Sequence, residues 1–224
     1  MKEHENGKPS IPSYTWLLSR RPNFMASFMH PLRQEAVQHL TLKKGDRVLD
    51  VGCGTGASFP YLVQAVGNLG EVVGVEISPD MAVQARKRVQ TQGWSNVHVL
   101  EDAAHTVKLS GRFDGLLLFA AHEVLTSGLA LDHLLAYLQE DARVVAFGAK
   151  YSSGRRGVLV NLLWGFMTRH LLPPSSAPID EHPWRLLEER IGMLHKEERA
   201  HGFMYLVWGS LHPTEVPFMG ITCG

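Results

Sequence analysis

Val48-Leu49-Asp50-Val51-Gly52-Cys53-Gly54-Thr55-Gly56 is an apolar run followed by alternating glycines, and a helix-like stretch follows it. A strand that must turn at once into a helix, with a ligand against its backbone, needs positions that carry no side chain. Gly52, Gly54 and Gly56 supply three. The spacing alone has two readings, because dinucleotide-binding loops follow G-x-G-x-x-G/A, and Gly52, Gly54 and Ala57 satisfy that pattern too.

Asp50 separates the readings. An acid two residues before the first glycine would repel a pyrophosphate but suits an ammonium. S-adenosylmethionine has no phosphate and carries an ammonium, a carboxylate and a sulfonium, so an acid beside a row of backbone N–H groups matches both ends of its amino-acid part. Downstream, Glu71-Val72-Val73-Gly74-Val75-Glu76-Ile77 reads as a second buried strand ending in an acid. The spacing is roughly that at which ribose hydroxyls are held, which makes Glu76 the ribose candidate. A third run, Val97-His98-Val99-Leu100, ends in Glu101-Asp102-Ala103-Ala104. Asp102 there is placed to accept the adenine amino group.

Through these three stretches the chain resembles the class I S-adenosylmethionine-dependent methyltransferases, over roughly residues 30 to 210. The resemblance implies that Asp50 and the loop of Gly52, Cys53, Gly54 and Gly56 hold the methionine part. It gives Glu76 to the ribose and Asp102 and Ala103 to the adenine, with Ile77 and Phe119 joining the cofactor site. It implies a Rossmann-like α/β fold: a doubly wound, mostly parallel seven-stranded sheet with an N-terminal helical cap and a helical insertion before the last two strands. It implies nothing about the acceptor. Each acid taken singly also reads as a helix cap or turn residue; three in the right order argue for the site.

With 224 residues, 45% apolar and 20% charged, the chain supports one substantial core rather than two large domains. We divide it into a helical cap over 1–42, a cofactor-binding domain over 43–212 with a lid insertion at 152–192, and a tail over 213–224. The 22 basic and 22 acidic residues cancel, and no basic stripe with interleaved aromatics occurs, so a nucleic acid partner is not expected. Cys53 and Cys223 make no disulfide framework, which points to a reducing cytoplasm. The first twenty residues are polar, read as a frayed end without a signal-peptide core. No run reaches the ~18 apolar residues of a membrane span.

Along the chain, Tyr14 to Leu42 reads as helix interrupted at Pro22 and Pro31. Phe59, Leu62, Val63 and Val66 mark a helix after the loop. Another begins at Ser78-Pro79, with Met81, Ala82, Ala85 and Val89 inward. Phe113 to Phe119 and Ala142 to Gly148 read as strands four and five, separated by a helical run over Leu129 to Leu138. Alternating strands and helices call for a sheet with helices on both faces and a ligand at the strands' C-terminal edge. Near the end, Lys196 to His201 and Phe203 to Trp208 form a candidate hairpin around Gly202. A helix with Pro183 in its first turn and Trp184, Leu187 and Ile191 at helical spacing precedes it.

The stretch Val158 to Thr168 is apolar around most of a helical circumference, with Asn161, Gly165 and Thr168 as its polar stripe. It reads as a buried helix, a lid over an apolar substrate, or a lipid-touching element flanked by Arg155, Arg156 and Arg169. Methyl transfer is an in-line displacement that needs alignment and water exclusion, and a base only for some acceptors. His122, just beyond strand four, is the first candidate for a catalytic role, and Tyr151, after strand five, the second. His195 and His201 are six apart and no C-x-x-C occurs, so no metal is assigned. The expected function is S-adenosylmethionine-dependent methyl transfer to a small, moderately apolar acceptor, with peripheral membrane or lipid contact allowed. The alternatives are N-methylation of lipid head-group amines, methylation of a quinone-like ring carbon, a dinucleotide-dependent reductase, or a cofactor-binding module without catalysis.

Overall fold

Short runs of β-branched and apolar residues bounded by turns become strands buried on both faces. The computed structural model describes residues 22–150, 181–200 and 202–211. Its strands are β1 (Arg47–Val51), β2 (Glu71–Glu76), β3 (Val97–Glu101), β4 (Phe113–Phe119), β5 (Leu138–Ala149), β6 (His195–Arg199) and β7 (Met204–Ser210). Its helices are α1 (Pro22–His39), α2 (Phe59–Val66), α3 (Pro79–Gln92), α4 (His122–Leu125), α5 (Gly128–Leu135) and α6 (Arg185–Ile191). Tyr151, the stretch Val158 to Thr168 with its flanking arginines, His201 and the expected tail lie outside the described residues.

The seven strands form one sheet in the order β3-β2-β1-β4-β5-β7-β6. From β3 to β5 every pairing is parallel, whereas β5 with β7 and β7 with β6 are antiparallel. The sheet is therefore mixed, which corrects the expectation of a mostly parallel one. Parallel neighbours need a crossover, but the last two strands are joined by a tight reversal. In that turn Ala200 (φ 51) and Gly202 (φ 83) take left-handed conformations, and Gly202 N donates to Arg199 O and Phe203 N to Ala200 O.

Two expected boundaries move. α1 carries Pro31 inside it instead of breaking there, so the helix loses a backbone donor but continues. Leu138 does not extend the preceding helix; it opposes Phe113, and β5 begins with it. The register then shifts before Gly115 meets Arg143, and Asp141 in that bulge adopts φ 66 and donates its N–H to Leu211 O. Ser78 caps α3 by position without a side-chain bond.

Alternation along the strands divides the core. On one face Leu49, Leu116, Leu118 and Val144 pack with Leu131 and Leu134 of α5 and Leu187 of α6. On the other, Val48, Leu117, Val145 and Leu206 pack with Ala36 and Val37 of α1 and with Phe59, Leu62 and Val66 of α2. α1 thus covers the sheet beside the point where strand order reverses, between β1 and β4.

Candidate active site

Asp50 stands near the end of β1, 1% exposed, and its Oδ2 has no hydrogen-bond partner among the described residues. Burial pushes its carboxyl up to about 7; the Arg33 cation opposes the shift and Glu76 adds to it. A buried, unpartnered carboxylate oxygen is costly, and it becomes favourable when a cation arrives. Glu76, at the end of β2, is also buried and accepts Gly54 N at 2.8 Å through Oε2 and Ser78 N at 2.9 Å through Oε1. It fixes the glycine loop to the start of α3, and its remaining lone pairs can still receive hydroxyls.

The loop is shaped by contact. Gly52 has φ 70, and a Cβ there would lie 2.9 Å from the Ala121 Cβ, so both conformation and space demand glycine. The loop N–H groups are largely taken up internally: Gly52 N and Cys53 N donate to Val75 O, and Gly56 N donates to Cys53 O. With Gly54 N on Glu76, the expected row of free donors is not offered at these four residues. Cys53 is buried, and burial, then Asp50 and Glu76, push its thiol far up. It packs in the loop, where burial opposes thiolate formation.

At the end of β3, Asp102 N donates to Glu76 O, so the β2 and β3 acids share one edge. Asp102 Oδ1 accepts Ala103 N at 2.7 Å and Thr106 Oγ1 at 2.9 Å. Ile77 beside Glu76 is 68% exposed, an apolar surface open on the same edge. An open recess of about 310 Å³ is bounded by Arg86, Glu101, Asp102 and Lys108. It reaches the acid expected at the adenine, and no glycine-loop residue lines it. Phe119 is buried against Phe147, with ring centroids 4.5 Å apart, and the Arg33 guanidinium lies 4.1 Å from its centroid.

His122 begins α4, one residue beyond the Ala121 that touches Gly52. The turn into it is strained, with Ala120 at φ 60 donating its N–H to Phe147 O at 2.7 Å. Tyr151 lies outside the described residues. Its neighbour Lys150 is buried, paired with Glu198 at 2.6 Å and set 5.6 Å from the Trp184 ring centroid. Sequence reasoning missed Lys150 and Arg33, since each is defined by what packs across the sheet and no local motif marks either.

Residues 48–148 match the family described as methyltransferase domain. A protein-L-isoaspartate O-methyltransferase from Ignicoccus hospitalis is 34% identical over 150 residues, 65% of this chain and 67% of that protein. The chain belongs to the class I S-adenosylmethionine-dependent methyltransferases. Aklanonic acid methyltransferase DauC from Streptomyces sp. is 29% identical over 165 residues, 72% of this chain and 67% of that one. The chain thus spans about two thirds of each relative. The fold is also that of N-methyltransferase NodS from Bradyrhizobium japonicum in complex with S-adenosylhomocysteine, at 15% identity and a TM-score of 0.60, covering 88% of this chain and 91% of that one. The methyltransferase uses S-adenosylmethionine as its cofactor, and the dinucleotide-reductase reading falls.

Proposed function

We propose that this methyltransferase acts in the cytoplasm on a small, moderately apolar acceptor by in-line displacement. In this reading Asp50 holds the cofactor's ammonium, Glu76 the ribose hydroxyls, Asp102 and Ala103 the adenine edge, and Ile77 covers an apolar face of that ring. The observation that carries the donor site is Asp50 Oδ2, a buried acceptor without a hydrogen-bond partner among the described residues. When bound, S-adenosylmethionine supplies an electrophilic methyl group on a sulfonium.

On the acceptor side, the Ala121–Gly52 contact sets the first turn of α4 against the loop, so the His122 imidazole can take the acceptor's proton on a ring nitrogen. Imidazole is the commonest side chain for that role. Tyr151 is the candidate to orient the acceptor from the end of β5. A small-molecule acceptor is supported by the relative named for aklanonic acid. The relative named for protein L-isoaspartate makes a protein acceptor the competing case.

The test is calorimetric titration with S-adenosylhomocysteine beside NAD and NADP, then turnover on a panel of apolar phenols, quinols, lipid-head-group amines and an isoaspartyl peptide. Binding of S-adenosylhomocysteine alone, with turnover of a phenol or quinol, is the expected result. Turnover only of the peptide, or only of the lipid amine, overturns the acceptor assignment.

A further inference from the structure

β5 ends in a buried cation to which the donor site gives no role. Lys150 follows the strand and is 3% exposed. Its backbone N–H donates to Phe203 O at 2.9 Å, and its Nζ meets Glu198 Oε1 at 2.6 Å and lies 5.6 Å from the Trp184 ring centroid. Trp184 is itself buried and set edge-on to Tyr205, with ring centroids 5.2 Å apart. The aromatic side of the ammonium's surroundings is therefore fixed, whereas Glu198 is 54% exposed and stands on the edge strand β6. That carboxylate can turn into solvent and leave the ammonium to another anion.

The register of the sheet sets Lys150 beside the α4 turn. Phe119 of β4 and Phe147 of β5 are direct partners, and His122 and Lys150 are the third residue after each. Neighbouring strands lie ~4.8 Å apart, so the two segments leave the sheet side by side at its C-terminal edge. They share a face as well, because Leu125 of α4 packs in the same cluster as Trp184 and Tyr205. A purely structural ion pair explains Lys150 poorly. Taking an ammonium out of water is costly, and a carboxylate that stays half in water offsets little of that, so an apolar side chain of similar length would pack as well.

We propose that Lys150 binds an acidic oxygen of the acceptor in place of Glu198, so that the methyl group goes to a phenol, enol or carboxylic acid as its oxyanion. This rests on the small-acceptor reading above, with His122 as the proton acceptor. The acceptor's O–H proton goes to His122 while the Lys150 ammonium compensates the oxyanion that forms. The oxygen's lone pair then makes the bond to the methyl carbon, and the electrons of the broken C–S bond stay on sulfur. The methylated product is neutral at that oxygen, so it holds Lys150 less well than the oxyanion did, and Glu198 closes on the ammonium again. A neutral amine would gain nothing from Lys150, and the positive charge it acquires on methylation would be opposed by it.

The experiment uses the phenol or quinol that the acceptor panel identifies, and the aniline of the same ring system as a competitor. Wild type, Lys150→Met, Lys150→Arg and Glu198→Gln are compared, with melting curves and titration of S-adenosylhomocysteine to establish folding and an intact donor site. Lys150→Met is expected to raise KM for the phenol or quinol by about tenfold to a hundredfold, the range for a hydrogen bond between charged groups. Its inhibition constant for the aniline and its Kd for S-adenosylhomocysteine should stay within about twofold of wild type, and Lys150→Arg should recover part of the loss. Glu198→Gln, which removes the competing carboxylate, should leave that KM unchanged or lower it. An equal loss for the phenol and the aniline would show that Lys150 acts only through packing and overturn the proposal. So would an unchanged KM in Lys150→Met, a raised one in Glu198→Gln, or a wild type that methylates amines alone. Wild type that binds S-adenosylhomocysteine and methylates no member of the panel would instead remove the small-acceptor reading beneath it.

Discussion

At Asp50 a single charge is placed where water cannot reach it, and pH is the lever that exposes the consequence. Its folded pKa of about 7 lies above the ordinary 3.8. As pH rises the unfolded chain therefore releases this proton first, and stability falls between those two values. The shift corresponds to about 4 kcal/mol at most. Asp50→Asn keeps the shape without the charge, so without ligand it should melt above wild type at pH 8, with a smaller gain at pH 5. If Asp50 holds the ammonium as proposed, the same variant should bind S-adenosylhomocysteine at least about tenfold more weakly. A variant that gains nothing at pH 8 would mean that Asp50 is not ionised against its burial. Cys53 gives a second expectation. In a Cys223→Ser background, the native protein at pH 8 should react with a thiol-specific disulfide reagent orders of magnitude more slowly than the denatured chain, since thiolate formation is opposed by burial. Asp50, Glu76 and Asp102 were legible in the sequence because each ends an apolar run beside a glycine or small-residue turn. Arg33 was not, because its meaning comes from Ser58 and Phe119, which reach it only when α1 docks.

Elements were legible where both ends carry a signal. α3 starts at Ser78-Pro79 and stops at Gly93, whose left-handed backbone lets Trp94 N return to Val89 O. The junction of α5 and β5 lacks such punctuation, and Leu138 fits the helical spacing as well as it fits the strand. Its pairing with Phe113 decides, and that contact is tertiary. The hairpin of β6 and β7 gives an expectation at this scale. Ala200 sits at φ 51, where a Cβ costs about 1–2 kcal/mol, while glycine adds about 0.4–1 kcal/mol of unfolded-state entropy. Ala200→Gly should therefore stabilise by up to about 1 kcal/mol, read as a melting point raised by roughly 2–4 °C. A lowered melting point would show that the turn tolerates alanine without strain. α1 is the second case. The Glu35–Arg199 pair is about one-third exposed on each side, so Glu35→Gln should cost under about 1 kcal/mol globally. Yet few such ties hold α1 among the described residues, and the variant should show faster amide exchange over α1 with the β4 amides unchanged.

At the scale of the whole molecule, topology marks one edge of the sheet for a ligand. With order β3-β2-β1-β4-β5-β7-β6 the chain reverses direction of growth between β1 and β4, and crossovers leaving on opposite faces open a crevice at their C-terminal ends. Asp50, Glu76, Asp102 and the α4 turn lie on that edge, whereas the opposite edge is closed by Arg47, which pairs with Glu71 and donates to Ser110 O and Arg112 O. The two ends of the sheet should therefore answer a ligand differently. At a hundred times its dissociation constant, S-adenosylhomocysteine should stabilise the fold by about 2.7 kcal/mol, a rise in melting temperature of roughly 5–10 °C for a chain of this size. Slowed amide exchange should concentrate at residues 50–59, 76–80, 101–106 and 119–122 and extend into α1, leaving residues 107–112 close to their free rate. This pattern separates local binding from general tightening, because added stability alone slows only amides that exchange through global unfolding. Protection spread evenly over both edges of the sheet would mean that the ligand does not sit at the strand-order reversal, and the placement of the donor site would fail with it.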